Sequence, residues 1–129
     1  MIRVVAAIIE HNGRVLICQR RANGTFAGKW EFPGGKMRPS ETPRQALERE
    51  LQEELGVRST IGEIAAEVRH RYAEMSDSVQ ILFLNAEVEG RPRNLTFERI
   101  AWARLPELRR YDFLAADRRV IGALVRGEI

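Results

Sequence analysis

Residues 42–56 constrain the fold of this chain more than any other segment, because they hold a complete set of helix signals. Thr42, followed by Gln45 three residues later, matches a capping box, and Pro43 suits the first helical position. Gly56 stands where a left-handed residue commonly ends a helix. The segment therefore predicts a helix over residues 43–55.

One face of this predicted helix is acidic. Glu50, Glu53 and Glu54 stand at positions i, i+3 and i+4 and so point the same way. The neighbouring face is apolar and consists of Ala46, Leu47, Leu51 and Leu55. Glutamate is a good helix former, so a solvated acidic stripe is one interpretation. The like charges repel one another at the edge of a core, so a hard divalent cation such as Mg²⁺ or Mn²⁺ is the other. On the helix alone, both interpretations stand.

A glycine pair just before the helix favours the cation. Gly34 and Gly35 allow the backbone to approach a ligand closely, and a backbone carbonyl can join a metal shell. Lys36 can meet a phosphate as a point charge. By itself Pro33-Gly34-Gly35 is an ordinary turn, so it is the combination with the acidic helix that predicts phosphate chemistry.

The rest of the chain predicts a sheet with helices on both of its faces. Asn12-Gly13 between two apolar runs is a strong hairpin signal. We expect strands over residues 4–10, 14–20, 30–32, 61–71, 79–88 and 100–104, a loop over 21–29, and a last helix over 118–126 after Asp117. This order indicates the α/β class, with a mixed sheet and a single domain over residues 1–129.

Composition limits the classes of function. Cys18 is the one cysteine, which excludes an internal disulfide and predicts a reducing compartment, so we expect a cytoplasmic protein. No apolar run approaches the roughly 20 residues that cross a bilayer, so no membrane partner is expected. The net charge of +3 comes from dispersed basic residues. Because nucleic-acid binders concentrate their positive charge, we expect no nucleic-acid polymer as partner.

The chain resembles the Nudix family, whose motif is Gly-x5-Glu-x7-Arg-Glu-U-x-Glu-Glu-x-Gly-U with U aliphatic. Every defined position of this Nudix box is matched, by Gly35, Glu41, Arg49-Glu50-Leu51, Glu53-Glu54 and Gly56-Val57. Residues 30–36 are similar to the segment before the box in the MutT-like branch, which hydrolyses nucleoside triphosphates. The resemblance extends over nearly the whole chain and implies a Nudix-type α/β/α sandwich.

The resemblance also implies roles for individual residues. Metal ligands are expected at Glu50, Glu53, Glu54 and the carbonyl of Gly34, with Arg49 orienting the glutamates and Glu53 or Glu50 as the general base. Many relatives carry one more glutamate where this chain has Thr96. Glu98 is the candidate replacement for that metal ligand.

The resemblance places substrate contacts at both ends of the expected site. Arg20 matches an arginine that contacts phosphate, Lys36 suits the same charge, and Glu31, Phe32, Pro33 and Gly34 match the lining of the nucleotide pocket. Asp117 lies where the MutT-like branch carries a residue that reads the base edge. It also suits a helix cap, and it could do both.

The implied reaction is Mg²⁺-dependent hydrolysis, with Mn²⁺ able to substitute, of a nucleoside triphosphate to a monophosphate and pyrophosphate by a monomer. An ionised Asp117 only accepts hydrogen bonds, so it suits the amino group of cytosine or the N7–H of an 8-oxopurine. The expected substrates are therefore 8-oxo-dGTP, as in sanitising the nucleotide pool for DNA repair, or CTP, dCTP and their modified forms. The alternatives are a hydrolase of ADP-ribose or another sugar nucleotide, and a non-catalytic nucleotide-binding module.

Overall fold

The computed structural model describes residues 1–129, which form eight strands and two helices. The strands are β1 (Ile2–Ile8), β2 (Glu10–His11), β3 (Arg14–Gln19), β4 (Trp30–Glu31), β5 (Gly34–Lys36), β6 (Arg58–His70), β7 (Val79–Glu89) and β8 (Arg99–Arg104). The helices are α1 (Pro43–Leu55) and α2 (Arg118–Val125), and two 3₁₀ turns span Leu105–Arg110 and Ala115–Asp117. Neither helix has the length and apolar character that crossing a membrane requires.

The first sheet is mixed, with the strand order β5-β1-β7-β6. Strand β1 runs parallel to β7, with Val5 opposite Leu82, and antiparallel to β5. Strands β6 and β7 pair antiparallel, and the register between them shifts twice, on either side of Ile64. The parallel pair at the centre of this sheet confirms the predicted mixed sheet.

The second sheet is antiparallel and is built around β3. Strand β8 lies on one side of β3, while β2 and β4 pair with opposite ends of its other side. The turn between β2 and β3 is Asn12-Gly13, with φ of 52° and 75°. Two successive left-handed residues are what a type I′ hairpin turn requires, so the predicted hairpin is confirmed.

Two hydrophobic clusters, one on each face of the strands, complete the layers. Alternate residues of one strand face opposite ways, so Leu16 joins the cluster that contains the apolar face of α1. Its neighbour Ile17 joins the other cluster, with Val120, Ile121 and Leu124 of α2. The strands therefore lie between two helices, which is the predicted α/β/α arrangement.

Helix α1 begins and ends where its sequence signals predict. The Thr42 hydroxyl accepts a hydrogen bond from the Gln45 amide at 3.2 Å, and the Gln45 side chain accepts one from the Thr42 amide at 3.0 Å. Gly56 ends the helix in a left-handed conformation with φ of 64°. Backbone amides of Arg93 and Leu95 donate to the last carbonyls of the helix, those of Leu55 and Glu54. These bonds hold the turn that carries the acidic residues.

Two local interpretations need correction. The strand at Trp30–Glu31 is broken before Pro33 as predicted, but Gly34–Lys36, interpreted as part of a turn, form the new strand β5 and pair with β1. A Cβ at Gly34 would lie 2.0 Å from the carbonyl oxygen of Val5, so this approach of two backbones requires glycine. Asp117 does not cap α2: its backbone is helical, with φ of −88° and ψ of −15°, and its side chain makes no capping bond.

Candidate active site

Arg49 organises the acidic face of α1. Its guanidinium donates to both oxygens of Glu41 at 2.6 and 2.8 Å, and to Glu50 at 2.7 Å. It also donates to Glu53 at 3.4 Å and to the backbone carbonyl of Lys36 at 3.1 Å. A planar fork of five donors is the side chain that can hold several carboxylates at once. The predicted orienting role therefore has a geometric basis in this network.

The same network explains the pKa of Glu41. The hydrogen bonds from Arg49 are the largest cause, and with the backbone amide of Arg38 they lower the pKa of Glu41 to about 2. Glu41 is therefore ionised at any pH where the protein works, and it anchors Arg49 beside the acidic face.

Glu54 turns away from Arg49 and into the protein. Its Oε1 accepts a hydrogen bond from the Gly34 amide at 3.0 Å, and no cationic side chain pairs with it. Burial, reinforced by the nearby charge of Glu50, raises the pKa of Glu54 to about 9. A buried carboxyl without a cation holds a proton at neutral pH, and a bound cation would reverse this.

Gly35 is required by the position of Glu50. A Cβ on Gly35 would lie 2.5 Å from the carboxyl carbon of Glu50, so any larger residue would displace that carboxylate. The glycine at the start of the Nudix box thus makes room for one of its own glutamates. Burial is the largest cause that raises the pKa of Glu50, and its hydrogen bond from Arg49 opposes the shift.

The carboxylate oxygens of the acidic face are the kind of ligand that a hard divalent cation prefers. Glu50, Glu53 and Glu54 offer only oxygen, and Glu54 is buried without a balancing charge. The three carboxylates do not converge into one ready-made metal cluster. Glu50 and Glu53 accept hydrogen bonds from Arg49, while Glu54 accepts one from the Gly34 amide on the inner side of the helix. The three glutamate side chains would have to change rotamer before their carboxylates could bind one shared ion.

A cavity of about 450 Å³ runs from Glu54 to the N-terminal end of α2. It contains most of the predicted substrate-binding residues, namely Arg20, Glu31, Phe32, Gly34, Lys36 and Asp117. Its apolar walls come mainly from Ile2, Val4, Ala6, Val79 and Ile81. The volume and the mixture of apolar walls with a few polar groups are typical of a small-molecule site.

Five predicted site residues do not line this cavity: Arg49, Glu50 and Glu53 on the acidic face of α1, and Pro33 and Glu98. Pro33 is buried beneath it, and its carbonyl accepts a hydrogen bond from the Ala7 amide at 2.8 Å. Glu98 is exposed at the start of β8, where its amide donates to Gln19. Thr96, two residues earlier, does line the cavity. A metal-binding role for Glu98 stays a prediction.

Arg20 is paired with Glu31 in the cavity wall. Its guanidinium lies 3.0 Å from the Glu31 carboxylate and donates to the Thr25 carbonyl at 2.8 Å. Burial is the largest cause that raises the pKa of Glu31, and Arg20 opposes it. Arg20 is therefore held at the cavity, ready to exchange part of this pairing for another anion.

Asp117 is the one fully buried charged residue, with 4% of its surface exposed. Burial, followed by the charge of Glu31, raises the pKa of Asp117 well above the usual range of aspartate. From the sequence, Asp117 is expected to be ionised and so only to accept hydrogen bonds. The buried carboxyl instead favours its neutral form, which donates one hydrogen bond as well as accepting.

Sequence reasoning missed several residues of the cavity, chiefly Tyr72, Met75 and Leu114. Tyr72 follows the end of β6 and Leu114 lies in an irregular segment before α2. Neither belongs to a spaced motif, and only the pairing of β6 with β7 brings Tyr72 to the cavity. The one available signal is an aromatic residue directly after a long strand.

Comparison with known proteins agrees with this geometry. The NUDIX domain family matches residues 1–124. The CTP pyrophosphohydrolase of Escherichia coli (strain K12) is 40% identical over 121 residues, which cover 91% of this chain and 86% of that protein. The putative 8-oxo-dGTP diphosphatase 2 of Mycobacterium tuberculosis (strain H37Rv) is 35% identical over 123 residues, covering 95% and 87%. The crystal structure of a MutT NUDIX hydrolase from Burkholderia pseudomallei matches with a TM-score of 0.85 and 27% identity, covering 94% of this chain and 95% of that one.

The layered fold and the acidic helix beside a nucleotide-sized cavity define a hydrolase of the Nudix type, and the chain belongs to the Nudix family. Within that family it is a MutT-like enzyme, and such enzymes act on small nucleotide substrates.

Proposed function

We propose that this chain is a single Nudix domain that hydrolyses a nucleoside triphosphate to a monophosphate and pyrophosphate with Mg²⁺. One observation carries the proposal: Glu54 of the acidic helix and the buried Asp117 line the same cavity. One end of that cavity thus has groups for phosphate chemistry, while the other has a polar group able to recognise a base. The relatives named for CTP and 8-oxo-dGTP support this class of substrate.

Each polar group of the proposed site has a chemical role. Glu50, Glu53, Glu54 and the carbonyl of Gly34 would hold the cation, which when bound neutralises phosphate charge and lowers the pKa of water in its shell. Glu53 or Glu50 takes the proton of the attacking water. Arg49 keeps both carboxylates in place through its hydrogen bonds.

The basic residues of the cavity balance the phosphates. Arg20 and Lys36 both line the cavity, and each adds a positive charge at its surface. Arg20 presents a planar fork suited to two phosphate oxygens, while Lys36 acts as a point charge. Release of Arg20 from Glu31 would leave the Glu31 carboxyl free to turn toward the nucleotide.

The proposed substrates are 8-oxo-dGTP and CTP or dCTP, and the proposed setting is a cytoplasmic monomer acting on free nucleotides. A neutral Asp117 can donate to one atom of a base and accept from its neighbour, which suits the paired edges of cytosine and of 8-oxoguanine. The buried, unpaired Cys18 agrees with a reducing compartment.

A nucleotide panel tests the proposal. We expect pyrophosphate release from dCTP, CTP and 8-oxo-dGTP with Mg²⁺, and little from ADP-ribose or a sugar nucleotide. Release of orthophosphate in place of pyrophosphate would contradict the proposed bond cleavage. Hydrolysis of ADP-ribose alone would instead indicate that the chain belongs to a different substrate group of Nudix hydrolases.

Added Mg²⁺ should stabilise the wild-type protein more than Glu53→Gln. A ligand that binds only the folded state raises its stability by mass action, and the variant has lost one ligand and one charge. Melting temperatures with EDTA and with millimolar Mg²⁺ measure the two shifts. Glu63→Gln, which changes an exposed glutamate on β6, serves as the control. Equal shifts in wild type and Glu53→Gln would contradict a shared metal site.

Asp117→Asn should change the choice of base while hydrolysis continues. The side chain caps no helix, so we expect the fold to survive the change. Once pH exceeds the raised pKa of Asp117, the wild-type carboxyl ionises and accepts a charge-assisted hydrogen bond from the cytosine amino group, whereas the amide oxygen accepts only a neutral one. A hydrogen bond to a charged group contributes about 1.5–3 kcal/mol, so kcat/KM for dCTP should fall about ten- to a hundredfold.

The comparison of Asp117→Asn with wild type should depend on pH in a defined direction. The difference for dCTP should widen as pH rises, because only the wild-type side chain changes its protonation. For 8-oxo-dGTP the amide can donate to O6 while it accepts from N7–H, so kcat/KM should hold or rise. The measurement is kcat/KM for dCTP, dGTP and 8-oxo-dGTP at several pH values. Unchanged ratios at every pH would mean that a residue other than Asp117 recognises the base.

A further inference from the structure

Tyr72 links the wall of the cavity to the turn that carries Asp117. Its ring lines the cavity, and its hydroxyl oxygen accepts a hydrogen bond from the backbone amide of Ala116 at 3.2 Å. Ala116 directly precedes Asp117 in the 3₁₀ turn at Ala115–Asp117. Tyr72 and Ala116 are both buried, so this bond is shielded from competing water.

Two side-chain hydrogen bonds hold the turn from outside: the Tyr72 hydroxyl accepts from the Ala116 amide, and the Asp117 carboxyl accepts from the backbone amide of Phe32. Neither end of the turn has a side-chain cap, and the backbone amide of Asp117 bonds only to the Leu114 carbonyl within the same segment. Asp117 makes no capping bond to α2. The position of its carboxyl in the cavity therefore depends on the packing of the turn, on the bond from the Phe32 amide and on the Tyr72 hydroxyl.

The ring of Tyr72 is itself fixed by two aromatic neighbours. Phe26 packs against it with ring centroids 4.6 Å apart, and His70 meets it edge-on at 4.4 Å. Phe26 adopts φ of 55°, which is uncommon for a bulky residue, so the surrounding structure must hold it there. The hydroxyl is thus presented to Ala116 in a defined direction.

We propose that Tyr72 is a positioning residue that sets base selectivity by holding the Ala115–Asp117 turn through its hydroxyl. The proposal rests on the proposed function in one respect, which is that Asp117 contacts the base. Loss of the hydroxyl leaves the ring in place but frees the turn. Asp117 would then sample several positions and discriminate less well between bases.

Tyr72→Phe tests this with the smallest possible change. The ratio of kcat/KM for the preferred nucleotide to that for dGTP should fall about fivefold, the size expected for one hydrogen bond. The loss should appear in KM, because the turn carries Asp117 and none of the carboxylates of the acidic helix. Tyr111→Phe is the matched control, since Tyr111 packs against Trp30 and Phe113 outside this cavity and its hydroxyl makes no hydrogen bond. It should leave the ratio unchanged.

The double variant with Asp117→Ala shows whether Tyr72 acts through Asp117. In that background Tyr72→Phe should change the ratio by much less than fivefold, because the polar group that it positions has been removed. An undiminished shift in the Asp117→Ala background would overturn the proposal. So would an unchanged ratio in Tyr72→Phe alone when Asp117→Ala alone does change it.

Equilibrium binding keeps the test independent of turnover. Calorimetry of dCMP and dGMP with wild type and Tyr72→Phe gives the selectivity even for a chain that hydrolyses neither triphosphate. If the wild type hydrolyses no nucleoside triphosphate, the proposed function is contradicted. If the dCMP-to-dGMP affinity ratio is the same in wild type and Tyr72→Phe, the role of Tyr72 is contradicted. Faster hydrogen exchange of the Ala116 amide in Tyr72→Phe is expected, and unchanged exchange would overturn the proposed bond.

Discussion

Replacing Glu54 by glutamine is expected to lower kcat for nucleotide hydrolysis by about a hundred- to a thousandfold. The side chain keeps its shape and its hydrogen bond from the Gly34 amide, so the fold should survive. What it loses is the negative charge that lies closest to the cavity on α1. The measurement is the initial rate of pyrophosphate release at saturating Mg²⁺.

Glu48→Gln is the matched control for this prediction, because Glu48 lies on the exposed side of the same helix. It removes the same charge from α1 without touching the cavity, and its rate should stay close to that of the wild type. A Glu54→Gln enzyme that is as active as Glu48→Gln would remove Glu54 from the proposed site.

The Glu54 carboxyl also predicts how stability depends on pH without metal. Its pKa is about 9 in the folded protein, against about 4.3 in an unfolded chain. Between these values the folded state holds the extra proton, so the free energy of unfolding falls as pH rises. The slope from this group is at most about 1.4 kcal/mol per pH unit. In EDTA, Glu54→Gln should therefore lose less stability between pH 6 and 9 than wild type, and its melting temperature should be higher at pH 8.

Arg49→Lys is expected to disable the enzyme and to destabilise it, although the charge is kept. A single ammonium group cannot reproduce the fork that contacts Glu41, Glu50 and Glu53 together. Charge-assisted bonds contribute about 1.5–3 kcal/mol each before solvent screening, so we expect a net loss of about 2–4 kcal/mol. With Glu50 and Glu53 no longer held, kcat should fall at least tenfold. Denaturant unfolding and initial rates measure the two effects.

Arg44→Lys provides the comparison for Arg49→Lys, since Arg44 is exposed on α1 and makes no ion pair. It should match wild type in both measurements. Equal stability of Arg49→Lys and Arg44→Lys would mean that the network around Arg49 contributes nothing measurable to folding.

The sequence predicted α1 and its acidic face accurately because their determinants are local. Thr42, Gln45 and Gly56 specify the ends of the helix within a few residues of one another, and helical spacing alone places the glutamates on one face. The motif identified the same residues independently. Helical spacing also places Glu54 next to the buried edge of α1, but neither source predicted its hydrogen bond from the Gly34 amide, because that depends on where β5 lies.

The errors lie where distant segments meet. Pro33-Gly34-Gly35 looks like a turn, and only pairing with β1 makes its two glycines the start of strand β5. Asp117 has the sequence of a helix cap, but burial beside the cavity and the helical backbone at its own position prevent capping. The pairing of Arg20 with Glu31 likewise joins residues on two neighbouring strands or their ends, which no local pattern specifies. Tertiary contacts decided each of these cases.

The parallel pairing of β1 with β7 has a consequence for how the chain reaches its fold. Ile2 lies opposite Val79, so the first strand has no neighbour in the sheet centre until most of the chain is available. During synthesis, β5 and α1 emerge early enough to pack against β1, but the edge of β1 that pairs with β7 stays open until Val79–Glu89 has left the ribosome. Because such distant closures carry a large entropic cost, this step is expected to limit the folding rate and to be the stage most prone to aggregation.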